Sequence, residues 1–178
     1  MVEKDIQNNA NDIPVADCNG HEDAPVCAVF SSDGSLLVTV SADKTARVWE
    51  ASSGNEKHSL RGHTDGLLAV AFSPDGKIVA TGGKDGLVKL WDVAQGKERA
   101  SLKGHTVVRC LAFSADGKTL ASGGEDRTVR VWDVAQRKER AVLTGHKEAV
   151  LAVSFSRDGS LLASAGQDKT VRLWKGQK

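Results

Sequence analysis

The chain has 178 residues, 40% of them hydrophobic and 4% aromatic, enough to bury a core but too poor in aromatic side chains to offer a stacking surface for nucleic acid. Lys and Arg number 24 against 23 Asp and Glu, so no long-range field draws the protein onto polyanions or an anionic membrane. Its three cysteines, Cys18, Cys27 and Cys110, form no C-x-x-C pair, residues 1–11 lack the apolar core of a secretory signal, and no apolar run reaches the roughly 18 residues of a membrane span; a cytoplasmic protein in a reducing compartment is expected.

Residues 1–12 read as a flexible N-terminal segment and residues 13–178 as one repetitive domain. Residues 13–18 form a short apolar stretch ahead of Gly20-His21, and that dipeptide recurs at Gly62-His63, Gly104-His105 and Gly145-His146. The only tryptophans, Trp49, Trp91, Trp132 and Trp174, are separated by 42, 41 and 42 residues, and Asp43, Asp85, Asp126 and Asp168 keep the same interval. Repeats therefore run approximately over 21–62, 63–104, 105–145 and 146–178. Within a repeat, Leu67 to Phe72 and residues 78–81 are short aliphatic, β-branched runs that predict two strands joined at Asp75-Gly76. Asp33-Gly34, Asp116-Gly117 and Asp158-Gly159 hold the same place, where glycine supplies the positive φ of a hairpin bulge. A third strand alternates, as in Val129-Arg130-Val131-Trp132, and a fourth is polar, as in Lys97-Glu98-Arg99 and Lys138-Glu139-Arg140, the charge mix of a protected edge.

A period of about 40 to 45 residues with Gly-His early and Trp-Asp late marks a four-stranded propeller blade. The segment from Gly62-His63 through Phe72-Ser73-Pro74-Asp75-Gly76 to Leu90-Trp91-Asp92 resembles a WD repeat, and the resemblance extends over residues 13–174. It implies an all-β WD-repeat propeller with four blades of four antiparallel strands per chain. Residues 13–20 would close the last blade, with Cys18 taking the place of Leu60, Leu102 and Leu143, so the chain is expected to be complete. Four blades lie at the lower limit for a propeller, and two chains pairing into one eight-bladed ring, a homodimer, are favoured over a strained or open monomer.

Every repeat carries a His, a Ser or Thr, an Asp and a Trp: His21, Thr39, Asp43 and Trp49; His63, Thr81, Asp85 and Trp91; His105, Ser122, Asp126 and Trp132; His146, Ser164, Asp168 and Trp174. Three of these types could make a hydrolase, but four equivalent copies single out no active site, no G-x-S-x-G elbow is present, and each hydroxyl falls within an apolar strand. No catalytic residue is assigned. The resemblance implies instead a relay of hydrogen bonds from indole to hydroxyl to imidazole to carboxylate. Each His is about 22 residues from its Asp and 41 or 42 from the next His, unlike the short ligand pairs of zinc sites, so no metal is assigned. Gly117-Lys118-Thr119 resembles the end of a phosphate loop, but Ala112 stands where the earlier glycine is required. No cofactor is expected.

If the blades pack as in the family, one rim of the channel is formed by Pro25, Cys27 and Ala42, then Gly66, Leu68 and Lys84, then Val107, Arg109 and Glu125, then Ala149, Leu151 and Gln167. Aliphatic residues fringed by charges suit a protein or peptide partner, and burial against neighbouring blades is the competing reading. The expected function is a non-enzymatic interaction scaffold, with a regulatory or sensor module beside a separate catalytic protein as the alternative. Neither nucleic acid nor a membrane is expected as a partner. Two local departures stand out. His105 is 8 residues from Phe113 where the second and fourth repeats have 9, and Arg137 replaces the glycine at Gly96, which would alter that turn.

Overall fold

The computed structural model describes residues 16–176, and every regular element in them is a strand. The first repeat gives β1 (Pro25–Phe30), β2 (Leu36–Ser41), β3 (Ala46–Glu50) and β4 (Glu56–Leu60), hydrogen-bonded in that order into one antiparallel sheet. The second gives β5 (Leu67–Phe72), β6 (Ile78–Gly83), β7 (Leu87–Asp92) and β8 (Lys97–Lys103), and the third β9 (Val108–Phe113), β10 (Thr119–Gly124), β11 (Val129–Asp133) and β12 (Lys138–Leu143). The fourth sheet holds three strands, β13 (Val150–Phe155), β14 (Leu161–Gly166) and β15 (Val171–Lys175).

The β1–β2 hairpin and its three counterparts close through one device. Gly34, Gly76, Gly117 and Gly159 take φ of 69° to 71°, and each donates its amide to the serine three residues earlier. That serine's hydroxyl donates to the turn aspartate at 2.6 Å in all four turns. The Ser31 hydroxyl and the amide and hydroxyl of Ser35 hold Asp33 down to about 2, and Ser156 and Ser160 do the same for Asp158. A carboxylate that accepts several hydrogen bonds resists protonation.

The core lies between sheets. Trp91 and Val79 join Val38, Val48 and Leu60 of the preceding blade, whereas Val88 and Leu90 join Val108, Leu120 and Trp132 of the following one. The alternation of the third strand thus aims tryptophan backwards and its aliphatic residues forwards, so both faces of an inner blade are apolar. Gly82 and Gly123 make room for this packing, since a Cβ on either would lie 2.5 or 2.6 Å from Val108 or Val150 of the next blade.

The expected alteration of the Arg137 turn does not occur. Arg137 adopts φ 57° where Gly96 has 64° and Gly54 has 72°, so the turn is kept and arginine carries the strain of about 1–2 kcal/mol that a side chain meets in the left-handed region. Of the segment 13–20 expected to close the last blade, residues 13–15 lie outside the described residues. Residues 16–20 make no ladder with β15 and lie instead along the first blade, where a Cβ on Gly54 would stand 2.9 Å from the Asp17 carbonyl oxygen.

Candidate functional site

Two sets of residues recur with the blades, one inside and one at an end. Inside, each histidine precedes the first strand of its own sheet and bonds both a hydroxyl on the second strand and the aspartate in the turn between the second and third. In the second blade the Trp91 indole N–H donates to Thr81 Oγ1 at 2.8 Å, Thr81 Oγ1 lies 2.8 Å from His63 Nε2, and His63 Nδ1 lies 2.7 Å from Asp85 Oδ2. The first blade repeats these contacts at 2.8, 2.7 and 2.8 Å through Trp49, Thr39, His21 and Asp43. The third repeats them through Trp132, Ser122, His105 and Asp126, and the fourth through Trp174, Ser164, His146 and Asp168. The chain is satisfied when the imidazole is neutral: the hydroxyl donates to Nε2 and Nδ1–H donates to the carboxylate. Thr81 and Ser122 are fully buried, so these hydroxyls are out of a substrate's reach.

Three of the relays have a further member. Thr45, Thr128 and Thr170 each donate a hydroxyl to the aspartate two residues earlier, at 2.7 to 2.8 Å. The signal was a threonine two residues after Asp43, Asp126 and Asp168, with Leu87 the exception. The third blade departs in another respect. Glu22, Thr64 and Lys147 donate their amides to the relay aspartates at 2.9 to 3.1 Å. The loop shortened after His105 supplies no such bond, and the Arg130 guanidinium approaches Asp126 at 3.6 Å instead.

Burial is the main influence on His63 and His105, and it holds both rings below the ordinary 6.5 despite the carboxylates that pull the other way. The unfolded chain therefore binds these protons first, and stability is present above pH 6.5 and lost as pH falls below it. A second loss follows as pH drops from about 3.8 towards 2, where Asp33 and Asp158 are still ionised in the folded chain. Urea midpoints measured from pH 8 to pH 3 should fall in these two stages; a midpoint constant from pH 7 to pH 4.5 would remove the histidine contribution.

The second set lies where the first strands begin. Each carries a bulge, at Val26, Leu68, Arg109 and Leu151, the residues skipped in the pairing of β1 with β2, β5 with β6, β9 with β10 and β13 with β14. A bulged residue leaves the ladder and projects from the strand. The next turn joins it, because the amides of Ala42, Lys84, Glu125 and Gln167 donate to the carbonyls of Ala24, Gly66, Val107 and Ala149. This register corrects the reading of the first repeat. Val26, and neither Pro25 nor Cys27, matches Leu68: Pro25 pairs with Ser41 as Leu67 pairs with Gly83, and Cys27 packs against the core between the first two blades.

Val26 and Leu151 are 49% and 45% exposed, Lys84 and Gln167 are exposed, and Leu68 and Val107 are half-buried. Arg109 and Glu125, both exposed, pair with each other, with Arg109 Nε 3.0 Å from Glu125 Oε1. Lys84 has no acid within ion-pair distance among the described residues. At the opposite end, a cleft of about 570 Å³ opens between the second and third blades over Ile78, Leu90 and Val134. Its walls come from hairpins about 40 residues apart, a separation that no local sequence signal spans. Its acids Asp75 and Asp116 are engaged by Ser73 and Ser114, and its Arg99 by Asp92. Desolvation pushes the half-buried Cys110 thiol up to about 12, which leaves it without nucleophilic character at neutral pH.

Sheets of this topology, stacked face to face and each braced by an internal relay, define a β-propeller repeat protein. A family model described as "WD domain, G-beta repeat" matches residues 13–50, 54–92, 96–133 and 137–175, and the chain belongs to that WD40 family. A solved structure described as "Structure of U3-55K" is similar, with a TM-score of 0.82 and 31% identity over 89% of this chain and 50% of that one. The chain thus spans half the length of that relative. No curated protein matches. Matches to solved structures number 1480 chains, a breadth that leaves the choice of partner to the surface residues of each. Family and fold are those of a protein-interaction scaffold.

Proposed function

We propose that the protein is a non-enzymatic scaffold that holds a peptide or protein segment on the rim formed by the four bulges. The observation that carries this reading is the projection of Val26, Leu68, Arg109 and Leu151 out of their ladders at one end of the blades. Residues released from pairing can differ between repeats without disturbing the sheet, and here they do differ. Three aliphatic side chains make the contact surface, and Lys84 beside Leu68 supplies a charge for a carboxylate on the bound segment. The relays brace the blades and take no part in chemistry. A random peptide library displayed on phage, selected on the immobilised protein, tests the site. Selected peptides should bind the Leu68→Asp, Leu151→Asp double variant at least tenfold more weakly, with its far-ultraviolet circular dichroism unchanged. Peptides that bind both proteins equally would place the contact elsewhere, the opposite cleft being the first alternative.

A further inference from the structure

The ends of the blades opposite the rim carry two clefts that repeat with the period of the chain. One, of about 510 Å³, opens between the first and second blades, and the other, of about 570 Å³, between the second and third. Both volumes fall in the range of about 300–1,000 Å³ typical of ligand sites, and both walls of each cleft come from consecutive blades. The floor has an aliphatic residue at the same place in both, Leu36 at the start of β2 and Ile78 at the start of β6, each half-buried. Between the third and fourth blades that place is taken by Thr119, so the aliphatic floor belongs to these two clefts and is no general result of stacking blades. Arg99 borders both clefts and makes them neighbours.

The charge around these floors is uneven. Five cations, Lys57, Lys77, Arg99, Lys118 and Arg137, border the two clefts against three acids, Asp75, Asp92 and Asp116. All three acids are engaged: Asp75 accepts the Ser73 hydroxyl and the Lys77 amide, Asp116 the Ser114 hydroxyl and the Lys118 amide, and Asp92 the Arg99 guanidinium. Lys57, Lys77, Lys118 and Arg137 are exposed and have no acid within ion-pair distance among the described residues. Arg137 is strained in addition. Its φ of 57° lies in the left-handed region, where Gly54 and Gly96 make the same turn without a side chain to crowd, and residues held in such conformations gather at sites of function. What the strain maintains is a guanidinium at the edge of the larger cleft.

We propose that the two clefts dock an acidic segment of a partner protein, with aliphatic side chains seated over Ile78 and Leu36 and carboxylates beside them paired to Arg137, Lys118 and the lysines of the first cleft. A guanidinium is planar and offers two parallel N–H donors to one carboxylate, which fixes orientation as well as charge. Neighbouring clefts that share Arg99 favour a chain over a small molecule, since one extended segment reaches both. Nucleic acid fits less well: no aromatic side chain borders either cleft to stack on a base, and the three acids would face a continuous line of phosphates. This surface is separate from the rim of the bulges and stands whether or not that rim binds. Occupied at both ends, the blades bridge two partners.

A phage library restricted to Asp, Glu, Leu, Ile, Val, Ser and Gly, selected on the immobilised protein, supplies the probe, and the enriched peptides are then synthesised. They should bind the Lys118→Ala, Arg137→Gly double variant at least about tenfold more weakly, through the loss of two charge-assisted contacts. Arg137→Gly also relieves the backbone, so the urea midpoint of that variant should hold or rise and the weaker binding is not the result of a damaged fold. The rim variant Leu68→Asp, Leu151→Asp should bind the peptides as the parent does. Serine in place of their aliphatic residues should abolish binding, because charge alone does not fill the clefts. No enriched peptide, equal binding by the double variant, binding that survives the serine replacement, or displacement of the peptides by a thymidine oligonucleotide would each overturn the proposal. Loss of binding in the rim variant alone would move the peptides to the rim, refuting the clefts and leaving the scaffold reading intact.

Discussion

Asp85→Ala should destabilise the protein by about 3 kcal/mol, read as a lowered urea midpoint followed by tryptophan fluorescence. The carboxylate, 3% exposed, accepts from His63 Nδ1 and from the amides of Thr64 and Leu87. Alanine leaves a fully buried imidazole N–H without a partner, and each orphaned buried donor costs about 1–3 kcal/mol. The same substitution at Asp126 should cost about half as much. That carboxylate is 16% exposed and receives no amide from the shortened loop, so water replaces more of what is lost. Equal losses at the two positions would show that the relays are not graded by burial.

Gly86→Ala carries the second large penalty, about 2–5 kcal/mol when the strain of a left-handed residue is added to overpacking. Gly86 has φ 74°, and a Cβ there would press on the backbone carbonyl oxygens of His105 and Thr106, which belong to the next blade. The equivalent turn residues Lys44, Arg127 and Lys169 hold φ of 63° to 70° with side chains in place, so the turn itself tolerates them. What differs at Gly86 is the neighbour, the loop that is one residue short after His105. Denaturation of Gly86→Ala beside the reverse change Lys169→Gly measures both terms: a marked loss for the first, and a gain of about 1 kcal/mol for the second. A loss at Gly86 no larger than that gain would leave only backbone strain and remove the contact with the loop.

Much of this architecture was legible in the chain. The repeat length, the Asp-Gly hairpins and the strand order follow from markers that recur at one interval, and the sheets of the first three blades are built as those markers predict. In the first repeat spacing alone puts Pro25 and Cys27 at the rim, but a shift of one residue in a strand moves a side chain to the other face, and it is Val26 that projects while Cys27 packs inward. The threonines two residues after the relay aspartates were visible as a pattern, but a short polar side chain beside a carboxylate carries no periodic hydrophobic signal. The relation between Gly86 and the short loop could not be read, because the two lie in different repeats and only packing brings them together.

The repeated faces between blades also govern how such a chain can change in length. Since the surface that closes one interface is the surface that opens the next, inserting or deleting a whole repeat leaves the same pair of ends exposed. A stretch such as Asp92-Val93-Ala94-Gln95, which recurs as Asp133-Val134-Ala135-Gln136, is therefore a seam at which unequal recombination can add a blade in phase, whereas an insertion of any other size leaves an interface without its mate.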